Sequence, residues 1–239
     1  MNYEKNNWKT GDKISAERLN HMEDGIYSAN SLIPYTNKRV EELEKSVADL
    51  LYKAIDITSF TITPSVAEMG ATVNSVNLKW AINKNPVKLT VEGNSVAVNL
   101  RETTLNALSL TKAHTFNVSA TDERGATDSM SKTLSFYNGV YYGLLAEGAA
   151  LDSAAVLTLT RELTNTKGRK FSVTCGEGQR IAYAIPSRLG TPTFKVGGFE
   201  GGFYLAATID FTNASGYTEP YAVWLSSNTN LGATTVEVS

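Results

Sequence analysis

Between Leu19 and Ile57, apolar side chains recur at alternating intervals of three and four residues. Leu19, Ile26, Ile33, Val40, Val47 and Ala54 share heptad position a, and Met22, Ala29, Leu43, Leu50 and Ile57 share position d. An α-helix gathers such positions into one stripe, and a stripe this narrow has the form of a coiled-coil seam. Pro34 and the polar Thr36 at d interrupt it. The spacing therefore predicts two helices, over residues 15–30 and 35–55, the second a coiled coil. Ser15 is placed to cap the first, with Glu17 near its positive end. Pro34 suits the opening of the second.

A helix of about 20 residues is marginal alone in water, so its stripe must be covered. Two covers are open: the chain's own β domain, or copies of the same helix. The narrow stripe and the g-to-e spacing of Arg39 and Glu44 point to copies. Val40, Leu43, Val47, Leu50, Leu51 and Ala54 would then form the oligomer contact. β-branched residues at a with Leu at d favour two strands, while Leu51 at e widens the stripe toward three. Periodicity alone leaves the order open.

The rest of the 239 residues changes character. Residues 138–239 hold 13 of the 18 glycines, whereas residues 1–57 hold two. These shifts predict three segments: a helical one at 1–57, an immunoglobulin-like or fibronectin-like β-sandwich at 58–137, and an all-β head at 138–239, a sandwich or jelly roll. In the second, Val76, Leu78, Trp80 and Ile82 alternate onto one face, which predicts a strand with Trp80 in the core. In the third, residues 156–160, 170–175, 180–185, 194–196, 203–211, 221–225 and 234–238 are strand candidates. The fold class expected is mainly β with an N-terminal coiled-coil stalk.

Composition narrows function. A net charge of −2 and a pI near 5.8 argue against nucleic acid as the main partner. No apolar run reaches membrane-spanning length, and the N-terminus has no secretory signal, so no membrane insertion is expected. Cys175 is the one cysteine, and the two histidines, His21 and His114, lie in different segments, neither of them the segment of Cys175. That distribution predicts no catalytic nucleophile, no cofactor and no metal site. Asp122, Glu123 and Asp128 read as a solvated turn rather than a calcium loop. The glycine-rich loops at 176–178 and 197–202 lack a following helix, so they read as turns rather than phosphate cradles. Acidic residues of the last segment, among them Glu147, Glu162 and Glu219, show no spacing that singles out a glycosidase pair. Carbohydrate binding is the positive case, because aromatic faces and amide or carboxylate groups suit sugars. Tyr217, in the polar loop 213–220, with Asn213, Glu219 and Trp224, makes the candidate ligand set.

One stretch adds a resemblance. Trp8, Gly11-Asp12, then Ile14-Ser15-Ala16-Glu17-Arg18-Leu19-Asn20 and Glu23-Asp24-Gly25-Ile26 resemble an N-terminal segment of tail and baseplate proteins from phages of Gram-positive bacteria. Phe136 to Gly143, Gly197 to Phe203 and Phe211 to Glu219 resemble the ends of tail-fibre or receptor-binding proteins of such phages and prophages. The resemblance implies a virion part made in the host cytoplasm, a homotrimer rather than a dimer. Its N-terminus would dock on other tail or baseplate proteins, and its head would attach to a host cell-wall glycan without catalysis. A structural adaptor or decorating fibre without a receptor is the alternative, with a polysaccharide depolymerase behind it.

Overall fold

A computed structural model describes residues 9–239; Trp8 of the N-terminal motif lies outside the described residues. The chain divides after Ala54 into two compact units.

The first unit is dominated by one helix, α1 (Ala16–Leu51). Ser15 caps it as expected, its hydroxyl accepting from the Arg18 amide at 3.3 Å. Two helices were predicted and one is found, with Pro34 inside it. Proline removes one amide donor from the interior of a helix and crowds the preceding turn. The heptad register nevertheless passes through Pro34 unchanged, so Ile33 and Val40 stay on one stripe and a break would gain nothing. Beside the proline, the Thr36 hydroxyl donates to the Leu32 carbonyl at 3.0 Å. At the other end, Tyr52 is already extended, with φ −65° and ψ 128°. Ala54 and Ile57 therefore lie past the helix, and the repeat they continue in sequence has no helix to carry it.

The second unit begins with β1 (Ile57–Thr63), β2 (Val66–Glu68), β3 (Val73–Ile82), β4 (Lys88–Val91), β5 (Asn94–Ser95), β6 (Glu102–Leu110), β7 (His114–Thr121) and β8 (Thr127–Tyr137). These strands make two sheets, ordered β1-β3-β6 and β2-β8-β7-β4-β5. Val76, Leu78 and Trp80 of β3 are buried against Phe116, Val118 and Ala120 of β7 in one core. The chain changes sheets at the cis Thr63–Pro64 bond, where proline has no amide to offer a ladder. Ile55 and Ile57 are both core residues here. Their amides donate to buried Asp122 at 3.1 Å and to Asp128 at 2.7 Å. Those carboxylates thus hold the first strand in place.

The chain continues with β9 (Gly139–Ala146), α2 (Ser153–Leu157), β10 (Thr160–Leu163), β11 (Arg169–Cys175), β12 (Gln179–Pro186), β13 (Phe194–Val196), β14 (Phe199–Glu200), β15 (Phe203–Thr212), β16 (Thr218–Ser226) and β17 (Gly232–Val238). They form antiparallel sheets ordered β10-β9-β12-β16-β15 and β11-β17-β13-β14. Strand β12 is buried on both faces. Ile181, Tyr183 and Ile185 join Phe171 and Val236 in the core between the sheets. Ala182 and Ala184 face a second core with Phe211, Tyr221 and Val223, closed by Val156 of α2. This third layer replaces the strand expected at 156–160. Asp152 caps α2, accepting from the Ala155 amide at 2.9 Å, and the run 153–157 is helix-compatible.

The protein is thus mainly β with one long N-terminal helix. Among the described residues, no helix is long and apolar enough to cross a membrane.

Candidate functional site

Helix α1 presents its seam openly. No residue of the helix is buried. The large a and d side chains range from 45% exposed at Met22 to 85% at Leu50, with Val40, Leu43 and Val47 between. Leu51, beside the seam at e, is 77% exposed. Ala54, also expected in the contact, is exposed but lies off the helix. A 36-residue helix is about 54 Å long. An apolar stripe of that length is more than a soluble chain normally leaves in water. Burying each Leu, Ile, Val or Met of it would release about 1.5–3 kcal/mol.

The residues predicted to take ligand have other employment. Asn213 is buried, at 4% exposure. Its amide donates to the Met69 carbonyl at 2.8 Å and to Asn138 Oδ1 at 3.0 Å. Its own Oδ1 accepts from the Ser215 and Tyr217 amides at 2.9 and 3.0 Å. Glu219 accepts from Asn138 Nδ2 at 2.9 Å and from Arg188 Nε at 3.0 Å. Tyr217 is half-buried, and its Cβ lies where a side chain on Gly70 would fall: a methyl there would stand 2.9 Å away. Trp224 packs beside Phe194, ring centres 5.7 Å apart, with its indole nitrogen buried. The structure brings Asn213, Tyr217 and Glu219 together, at a joint between the two β cores. Trp224 belongs to the core instead.

That joint includes residues the sequence did not single out. Glu68, on β2 and 7% exposed, binds Arg161 Nη1 at 2.5 Å and the Ser215 hydroxyl at 2.7 Å. Burial, reinforced by the charge of Glu68, pushes the neighbouring Tyr141 phenol above its usual pKa. A buried carboxylate matched by an arginine and a hydroxyl is a locking contact, since each group alone would be costly to bury.

Other chemistry-bearing side chains are likewise engaged. Asp122 accepts from Ile55, Arg124 and Ala126 amides and pairs with Lys84 at 3.0 Å. Cys175 is buried, its thiol donating to the Gln179 carbonyl. His114 meets Glu92 at 3.0 Å, while His21 is exposed on α1. Glu147 pairs with Arg180 and Glu162 with Arg169. Among the described residues, no three His, Cys, Asp or Glu gather as a metal site would require.

No protein-family model matches the chain, and no curated protein sequence matches it. Among solved structures, chitinase ChiA74 from Bacillus thuringiensis is similar at 12% identity over 77% of this chain and 26% of its own, with a TM-score of 0.25. Likeness at that TM-score carries no argument about fold or activity.

Proposed function

We propose that this chain is a non-enzymatic virion subunit, a tail-fibre or receptor-binding protein of a phage or prophage of Gram-positive bacteria. Copies assemble as a homotrimer through a coiled coil of α1, its N-terminus docks on other tail or baseplate proteins, and its β unit attaches to a cell-wall glycan. The observation that carries this reading is the uncovered a/d seam of α1. The resemblance of residues 8–26 to tail and baseplate N-termini supports it. On this reading the first β core is an immunoglobulin-like domain, in keeping with an opening strand split at Pro64 and with β2 lying parallel to β8. Three linked copies would raise a weak single contact with a surface by avidity.

The engagement of Asn213 and Glu219 inside the joint favours a second reading, a structural adaptor or decorating fibre with no receptor. Fluorescently labelled full-length protein mixed with Gram-positive cells separates the two. Saturable binding to at least one strain supports attachment. Absence of binding across a broad strain panel supports the adaptor.

A further inference from the structure

Of the eight phenylalanines, seven are buried or half-buried and Phe199 alone is exposed, at 81%. It stands on the hairpin joining β13 to β14, where Val196 pairs with Phe199 across the two-residue turn Gly197-Gly198. Both turn glycines have positive φ, 56° and 90°, the backbone a tight hairpin needs and other residues resist. A Cβ at either would meet nothing within 4 Å, so these glycines serve the turn and leave open space beside it.

The hairpin is held firmly. The Gly197 amide donates to Thr235, the Gly201 amide to Phe194, and Gly202 accepts from the Ser227 amide, at 2.8–2.9 Å. These bonds fix the backbone on both sides of Phe199. Beside it lies a groove of about 160 Å³ lined also by Val196, Glu200, Asn228 and Leu231. Sites for drug-sized ligands run to about 300 Å³ or more, so the groove has room for one ring. Its single charged lining group is the Glu200 carboxylate, and Lys195 Nζ stands 3.9 Å from it, so the local charge is balanced and suits a neutral occupant.

We propose that this hairpin is a binding site for a neutral pyranose ring. The apolar C–H face of the sugar stacks on Phe199, whose ring face is electron-rich. Hydroxyls donate to Glu200 and exchange hydrogen bonds with the Asn228 amide. The rigid turn lowers the ordering cost of the contact. The proposal rests on the attachment reading only for the biological source of the sugar; the site is argued from its own geometry.

Saturation-transfer NMR tests it, using full-length protein and methyl glycosides of glucose, galactose, N-acetylglucosamine and rhamnose. At least one glycoside should receive saturation on its ring C–H protons. Phe199→Ala should weaken that glycoside about tenfold, and Glu200→Gln and Asn228→Ala each by a smaller factor. Phe199 is too exposed for its loss to change folding, so Phe199→Ala should keep the wild-type melting curve and sedimentation mass. Binding of no glycoside, equal binding by Phe199→Ala, or a changed assembly mass for that variant would each overturn the site. If wild type and Phe199→Ala take up saturation equally while the wild type adsorbs to cells, this site fails while attachment stands. If glycosides bind at Phe199 but no cell is adsorbed, the site stands and attachment fails.

Discussion

The side-chain amide of Asn213 donates to the backbone carbonyl of Met69 at 2.8 Å, across 144 residues of sequence. That bond ties the loop after β15 to the chain after β2. Asn213→Ala removes it, together with the bonds to Asn138 and to two amides of its own loop. Buried partners left unsatisfied cost about 1–3 kcal/mol. Urea unfolding should therefore show a loss of about 2–3 kcal/mol, with no change in the mass of the assembly.

Glu68 and Arg161 extend the same joint. Arg161→Met leaves the Glu68 carboxylate without its cation; with the Arg161 side chain 41% exposed and the Ser215 hydroxyl still donating, this should cost about 1–3 kcal/mol. The Glu68→Gln/Arg161→Met double variant removes the charge as well. It should regain a clear part of the loss, giving a coupling energy above about 1 kcal/mol in a double-mutant cycle.

Alkali should destabilise the β unit through Tyr183 and Tyr221. Burial pushes both phenols well above their ordinary pKa near 10. Their hydroxyls also donate to the Lys167 and Gly139 carbonyls. The unfolded chain releases these protons above about pH 10, while the folded chain keeps them. Stability contributed by the neutral phenols is thus full below pH 10 and falls as pH rises, by about 1.4 kcal/mol per pH unit for each tyrosine. Unfolding free energies between pH 9 and 11.5 should show this slope, and Tyr183→Phe should flatten it.

Pro34 is the weak point of α1. An interior proline costs a helix about 3 kcal/mol relative to alanine. Pro34→Ala should restore an amide donor for Asn30 and raise the melting temperature of the helical circular-dichroism signal at fixed protein concentration. An unchanged or lowered transition would mean the proline serves the native packing of the seam.

Elements governed by short-range periodicity were legible in the sequence. Alternation alone placed Val76, Leu78 and Trp80 on the buried face of β3, and the three-four spacing located the helix. Two local signals misled. The run Val156-Leu157-Thr158-Leu159-Thr160 alternates like a strand, but the Asp152 cap outweighs a pattern only five residues long. Pro34 reads as a break, yet one lost bond does not disrupt a 36-residue helix. The joint left no signal at all. Glu68 finds Arg161 and Ser215 at sequence separations of 93 and 147, and no periodicity encodes such pairings. Tyr217 looked exposed because its loop is polar; Asn213 bends that loop back on itself, and the loop backbone packs closely against the glycine at position 70.

Sedimentation equilibrium of the full-length protein tests the central claim, that the seam of α1 exists to meet copies of itself. The predicted mass is three times the 25.9 kDa of one chain, reduced toward a single chain when Leu43 and Leu50 are both replaced by glutamate. A wild-type mass that stays at 25.9 kDa at every concentration would contradict it.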